Sequence, residues 1–226
     1  NPAAFGTALI MNAFSSSGSE AVTAQVLSGA TPMANMATTG WGSAGSVIHG
    51  VVNTYGGLLG MFMGNYPSVI GGSCAIIVVA AFFYLMYHRV IDGRLTISYL
   101  VTVFVVSLIA GLSHGSGIEF AVFNLIGGGV LFASVFMVTD PVTTPVSIPG
   151  KYIFGICAAC LTLLLRWKAS VPDGALFAIL LMNMLVPAID RVCDGSQITD
   201  AKKIRGVACG VSAVVVVIAA VVAVTL

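Results

Sequence analysis

The stretch LTISYLVTVFVVSLIAGL at residues 95–112 contains no Asp, Glu, Lys or Arg. As one helix it is long enough to cross the hydrocarbon layer of a bilayer, which takes roughly 20 apolar residues. Polar clusters bound it on both sides, Arg89-Val90-Ile91-Asp92-Gly93-Arg94 before it and Ser113-His114-Gly115-Ser116-Gly117 after it. Similar apolar runs occupy 69–88, 118–137, 151–166, 173–190 and 206–226. The segments Asp140-Pro141 through Gly150, Trp167-Lys168 through Pro172, and Asp190 through Arg205 divide the later runs. The fold class expected is an all-α integral membrane protein. Residues 69–226 form a polytopic helical bundle of about six spans, with Gly/Pro-interrupted helices.

Composition supports the same class. The chain is 58% hydrophobic and 8% charged, whereas an ordinary soluble domain carries roughly 25% charged residues. Nine basic and eight acidic side chains are too few to solvate a globular surface of 226 residues. A net charge of +1 excludes a nucleic-acid partner, which needs a basic face. Lipid is the expected surrounding. Residues 1–14 read as the end of a truncated inner span, and Asn1 is not an initiating residue, so the chain is read as a fragment or processed product.

Residues 15–68 are different. They are rich in Gly, Ser, Thr, Asn and Met, with Glu20 their one formal charge besides His49. They read as a loop, with 44–63 a short interfacial or re-entrant element broken by Gly50, Gly56, Gly57 and Gly60. The side they face follows from Lys and Arg in alternate loops. Arg89, Arg94, Lys151, Arg191, Lys202, Lys203 and Arg205 fall on one side, against Arg166 and Lys168 on the other, seven against two. The first side is expected in the cytoplasm, and the loop 15–68 faces outward.

Within that loop stands Ser28-Gly29-Ala30-Thr31, followed by Pro32. The three small residues leave the backbone open to approach, and Thr31 offers a hydroxyl. Pro32 biases Thr31 toward an extended backbone. It also suits the first position of a helix, which would make Thr31 an N-cap. Two further segments are distinctive: Val138-Thr139-Asp140-Pro141-Val142-Thr143-Thr144-Pro145, followed by Gly150 and Gly155, and Asn183-Met184-Leu185-Val186-Pro187-Ala188-Ile189-Asp190-Arg191.

With the Asn1-Pro2-Ala3 start, these segments make the chain similar to one family of membrane flavoprotein subunits. It comprises the B subunit of the sodium-translocating NADH:quinone oxidoreductase and the D subunit of the Rnf electron-transport complex. Pro32, the Thr143-Thr144-Pro145 form and the Leu185-to-Arg191 ending lean toward the Rnf branch. The resemblance implies a redox subunit of an ion-translocating complex of ferredoxin:NAD+ oxidoreductase type in a bacterial or archaeal cytoplasmic membrane. It implies covalent FMN, joined through its phosphate to Thr31, with Ser28, Gly29, Ala30 and Pro32 framing the site. It implies as partners the other complex subunits and a flavin transferase. Gln25 departs from the pattern, which usually has an acid there.

Other residues carry weaker signals. Asp140, with Thr139, Thr143 and Thr144 beside two prolines, is the candidate cation path, because interrupted helices expose carbonyls. Asp140, Asp190 and Glu119 fall at span ends, where a carboxylate serves equally as a cap or anchor. Asn124 with Gly127-Gly128-Gly129 marks close backbone approach. Cys157 and Cys160 form one CxxC inside a span and read as packing residues rather than metal ligands. His49, His88 and His114 make no ligand pattern, and no catalytic residues or metal site are expected. Phe82, Phe83, Tyr84 and Tyr87 read as an interfacial belt. A cofactor-free secondary transporter or channel is the alternative from another class, since interrupted spans suit it as well.

Overall fold

The structure, a computed structural model, describes residues 1–13, 31–41, 44–66, 72–169, 174–193 and 201–224. Among the described residues every regular element is helical. Helix α1 is Pro2–Ala13, and the short helices α2 (Pro32–Thr39), α3 (Ala44–Thr54) and α4 (Gly57–Met63) follow it. Then come α5 (Ala75–Tyr87), α6 (Gly93–Ser113), α7 (Gly117–Ile126) and α8 (Val130–Phe132), which widens into a π-helix at Ala133–Met137. Helices α9 (Ile148–Lys168), α10 (Gly174–Cys193) and α11 (Ala201–Val224) complete the chain.

Three helices, α6, α9 and α10, are long and apolar enough to cross a membrane, and the bent pair of α7 with Val130–Met137 makes a fourth if it is one span. Helix α5 has 13 residues, about 20 Å at 1.5 Å per residue. That is short of a hydrocarbon thickness of about 30 Å. The apolar part of α11, Cys209–Val222, is likewise shorter than a full span. The chain is a multi-pass, all-α membrane protein.

Helix α9 is the hub and packs against α6, α10 and α11. Lipid tails are as apolar as leucine, so contact between membrane helices depends on close packing of small residues. Gly155 supplies it: a Cβ there would collide with Ser98 Oγ of α6 and lie 3.1 Å from Leu95 O. On α6, Leu95, Tyr99, Val103, Val106 and Ala110 recur at helical spacing and are buried. Two hydroxyls in this seam pair across it, as lipid favours. Tyr99 Oη lies 2.8 Å from Thr162 Oγ1, and Thr162 Oγ1 donates to Ala158 O. Cys160 is buried and Cys157 half-buried in the same helix.

Two contacts bring the basic loops to one end of the bundle. Lys151 Nζ donates to Asp92 Oδ2 at 2.7 Å, and Val146 N donates to Asp190 Oδ1 at 3.2 Å. Opposite lie the start of α7 and the end of α9, where Phe120 is flanked by Trp41 and Trp167 at ring distances of 6.3 and 6.1 Å. His49 Nδ1 pairs with Glu119 Oε2 at 2.8 Å at this second end. Phe83, Tyr84 and Tyr87 of α5 are exposed, as an interfacial belt requires, and Phe82 turns partly inward against the core.

Candidate functional site: the Thr31 turn and the bent helix beneath it

Thr31 has φ −58° and ψ 152° and caps α2, with Pro32 opening the helix. The extended backbone favoured before proline and the N-cap therefore coexist. Thr31 Oγ1 accepts from Ala34 N at 3.2 Å, and Thr31 O takes the first helical bond from Asn35 N. The residue is half-buried, and Pro32 behind it is buried. Ser28, Gly29, Ala30 and Gln25 lie outside the described residues.

Helices α2 to α4 are packed rather than looped. Met33, Met36, Ile48 and Met61 are all at most 1% exposed. Unbranched methionines fill the irregular space that short helices leave. Their seat is the span 117–137, which bends by 62° between α7 and Val130–Met137. Gly128 has φ +69°, a left-handed conformation that glycine adopts without strain. A Cβ at Gly127 would collide with Met33 Cε. Tyr66 Oη donates to Ile126 O at 3.1 Å.

A bend leaves helix-end carbonyls without intrahelical donors, and in lipid each such group costs several kcal/mol. Arg166 supplies the donors. Its Nη1 lies 2.8 Å from Asn124 O and 3.4 Å from Asn124 Oδ1, and its Nη2 lies 3.3 Å from Gly127 O. Arg166 is 0% exposed. In the sequence it stands with Lys168 as a charge at the membrane surface. The buried position removes it from the basic-residue count and leaves Lys168 as the exposed Lys or Arg of that end among the described residues. Gly127–Gly129 is thus a helix break filled by Met33 and Arg166, where close packing of backbones was expected.

At Thr31 itself, the N-terminal turn of α2 is the part of the structure that would suit an anionic group on the hydroxyl. Trp41 Nε1 and Trp167 Nε1 are buried donors without a hydrogen-bond partner among the described residues, and both rings are 4% exposed. The N-terminal N–H groups of α2 add positive potential beside the Thr31 hydroxyl.

Asp140 lies at the opposite end. Its Oδ1 accepts from Val142 N at 3.3 Å and its Oδ2 from Thr143 Oγ1 at 3.2 Å, which makes it the cap of a tight turn. The Asn1 nitrogen is 3.6 Å from Oδ2, and Asn1 Nδ2 donates to Met137 O. Of the expected cation-path residues, Asp140 and Thr143 are therefore together. Thr139 turns away and donates to Val135 O in the π-helix, whose wider turn leaves that carbonyl available. Thr144 is half-buried in the same turn. Among the described residues no group of three His, Cys, Asp or Glu side chains is placed to hold a metal ion.

Known proteins resemble this chain over most of its length. The D subunit of a proton-translocating ferredoxin:NAD(+) oxidoreductase complex from Clostridium ljungdahlii is 32% identical over 205 residues, covering 84% of this chain and 58% of its own. The D subunit of the ion-translocating oxidoreductase complex of Stutzerimonas stutzeri is 34% identical over 173 residues, or 74% of this chain and 47% of its own. The D subunit of a Na(+)-translocating ferredoxin:NAD(+) oxidoreductase complex from Acetobacterium woodii is 29% identical over 162 residues, or 72% and 46%. The chain spans about half the length of these curated relatives. A family model described as NQR2, RnfD, RnfE family matches residues 1–199, and the chain belongs to that family.

Proposed function

We propose that this chain is the D-type subunit of an Rnf-type, ion-translocating electron-transport complex, and that Thr31 is its covalent FMN attachment point. The observation that carries the reading is the Thr31 turn itself. A half-buried hydroxyl closes Ser-Gly-Ala-Thr-Pro and is held at the start of α2 by Ala34 N. The related subunits named above support the complex type. A bound flavin supplies one- and two-electron transfer. The chain's own residues tether it, shield it and hold its phosphate at a helix N-terminus. The loop faces outward on the excess of basic residues at the other end, seven against Lys168 once buried Arg166 is set aside, so electrons from a cytoplasmic donor reach Thr31 through other subunits. A flavin transferase loads the site, and the rest of the complex and lipid surround it.

The test is flavin retention after denaturation. In the native host, the wild-type subunit is expected to fluoresce in a denaturing gel and to carry the mass of FMN less water. Thr31→Val removes the hydroxyl at nearly constant volume and loses both signals while still inserting. Its lost N-cap costs about 1 kcal/mol. Thr31→Ser keeps cap and acceptor and controls for that loss. Fluorescence persisting in Thr31→Val rules the assignment out. The bent span 117–137 also suits a cofactor-free transporter or channel, and a colourless wild-type subunit selects that reading.

A further inference from the structure

We propose that Arg166 is a positioning residue for the Thr31-linked flavin, acting through the helix bend at Gly127 and the side chain of Met33. The inference rests on the reading of Thr31 given above and deepens it. Arg166 donates to the two carbonyls that the bend frees, Asn124 O and Gly127 O. It thereby fixes the angle between α7 and the segment after it. The fixed bend presents Gly127 without a Cβ, and Met33 occupies the space that a Cβ would need. Met33 is 1% exposed, two residues after Thr31 and inside the first turn of α2. Ala34 N, the next in the chain, holds Thr31 Oγ1. A continuous run of close contacts therefore joins a buried cation to the atom that bears the flavin.

Chemistry explains why the cation is an arginine. A planar guanidinium with five N–H donors spans two carbonyls at once, whereas an ammonium is a point donor. A cation also suits the carbonyl end of α7. A flavin tethered through one side chain keeps several rotatable bonds, and electron transfer between fixed centres needs that freedom removed. A seat under α2 removes part of it. Tyr66 Oη on Ile126 O braces the same bend from α4's side.

The test uses the assembled complex in native membranes or detergent. Flavin content is read by denaturing-gel fluorescence, flavin mobility by fluorescence anisotropy decay, and access by iodide quenching. Arg166→Met is expected to keep the flavin but to give faster anisotropy decay and a severalfold larger quenching constant. Arg166→Lys, which keeps the charge and loses the two-pronged contact, falls between it and the wild type. A merely stabilising role would lower the yield of complex and leave the mobility of the surviving flavin unchanged, and that result overturns the proposal. If Arg166→Met does not accumulate, Met33→Ala opens the same seat from the other side. Faster decay there supports the proposal, and wild-type decay overturns it. A separate arm needs no flavin. In Thr31→Val, hydrogen exchange across residues 33–39 is expected to rise severalfold on adding Arg166→Met or Met33→Ala, and unchanged exchange overturns the seat. A wild-type chain without flavin sinks the reading of Thr31 while this arm still judges the Arg166–Met33 contact.

Discussion

Lys151 Nζ lies 2.7 Å from Asp92 Oδ2, so the first turn of α9 is tied to the N-cap of α6 across 59 residues of sequence. Burial by itself would raise the Asp92 carboxyl. The hydrogen bonds from Lys151 and the Arg94 backbone N–H, with the charges of both cations, outweigh it and hold the pKa below the ordinary aspartate value. A carboxyl lowered in the folded state contributes stability above its unfolded pKa and loses it as pH falls through the folded one. The thermal stability of the detergent-solubilised protein is therefore expected to fall as pH drops below the unfolded aspartate value of about 3.9. Asp92→Asn should flatten that part of the profile. An equal slope in the two proteins would place the acid sensitivity elsewhere. The pair is partly exposed, so raising the salt should shrink the difference.

Gly155 gives a packing prediction with an internal control. A Cβ there meets Ser98 Oγ and the Leu95 carbonyl, whereas one at Gly206 has nothing within 4 Å. Gly155→Val forces α6 and α9 apart, and overpacking of this kind costs about 1–3 kcal/mol. It should lower the melting temperature and membrane yield, while Gly206→Val leaves both close to wild type. Equal behaviour of the two variants would contradict the α6–α9 contact.

The basic asymmetry predicts sidedness. With native cysteines removed, a cysteine placed at Ser17 should react with an impermeant maleimide added to intact cells. One placed at Val146, which is 83% exposed near the Asp92–Lys151 end, should react only after the membrane is opened. The reverse pattern would invert the topology and place Thr31 on the cytoplasmic side.

The long spans were legible because charge and turn clusters mark their ends: the run 95–112 became Gly93–Ser113, and 151–166 became Ile148–Lys168. The glycine triplet at 127–129 announced an irregularity but not its kind. A bend needs donors from another helix, and no local pattern names them. Arg166 stood beside Lys168 at a span end and looked like a surface anchor. The usable signal was that a broken apolar span must find donors, and that arginine brings more of them than any other side chain. The pairing of His49 with Glu119 and the seating of Met33 on Gly127 join segments 70 and 94 residues apart. Periodicity carries no information at that range. Residues 31–66 were harder still, since weak hydropathy conceals helices in which Met33, Met36 and Met61 are nonetheless buried.

Asp140 is the remaining candidate for ion coupling, and its geometry makes a sharp test possible. Both carboxylate oxygens serve the turn at 140–143. An asparagine keeps the size and one acceptor oxygen, so the turn should survive Asp140→Asn while the charge is lost. Pro141 and Pro145 have no N–H, so neither can supply a backbone donor that would compete with a cation for carbonyls of this segment. Flavin content and assembly of the complex should match wild type, and ion-dependent turnover should fall several-fold. The related subunits are named for different ions, protons in one and sodium in another, so turnover is measured against sodium and against pH. Failure of Asp140→Asn to assemble would make Asp140 a turn cap alone, and wild-type ion dependence would remove it from the path.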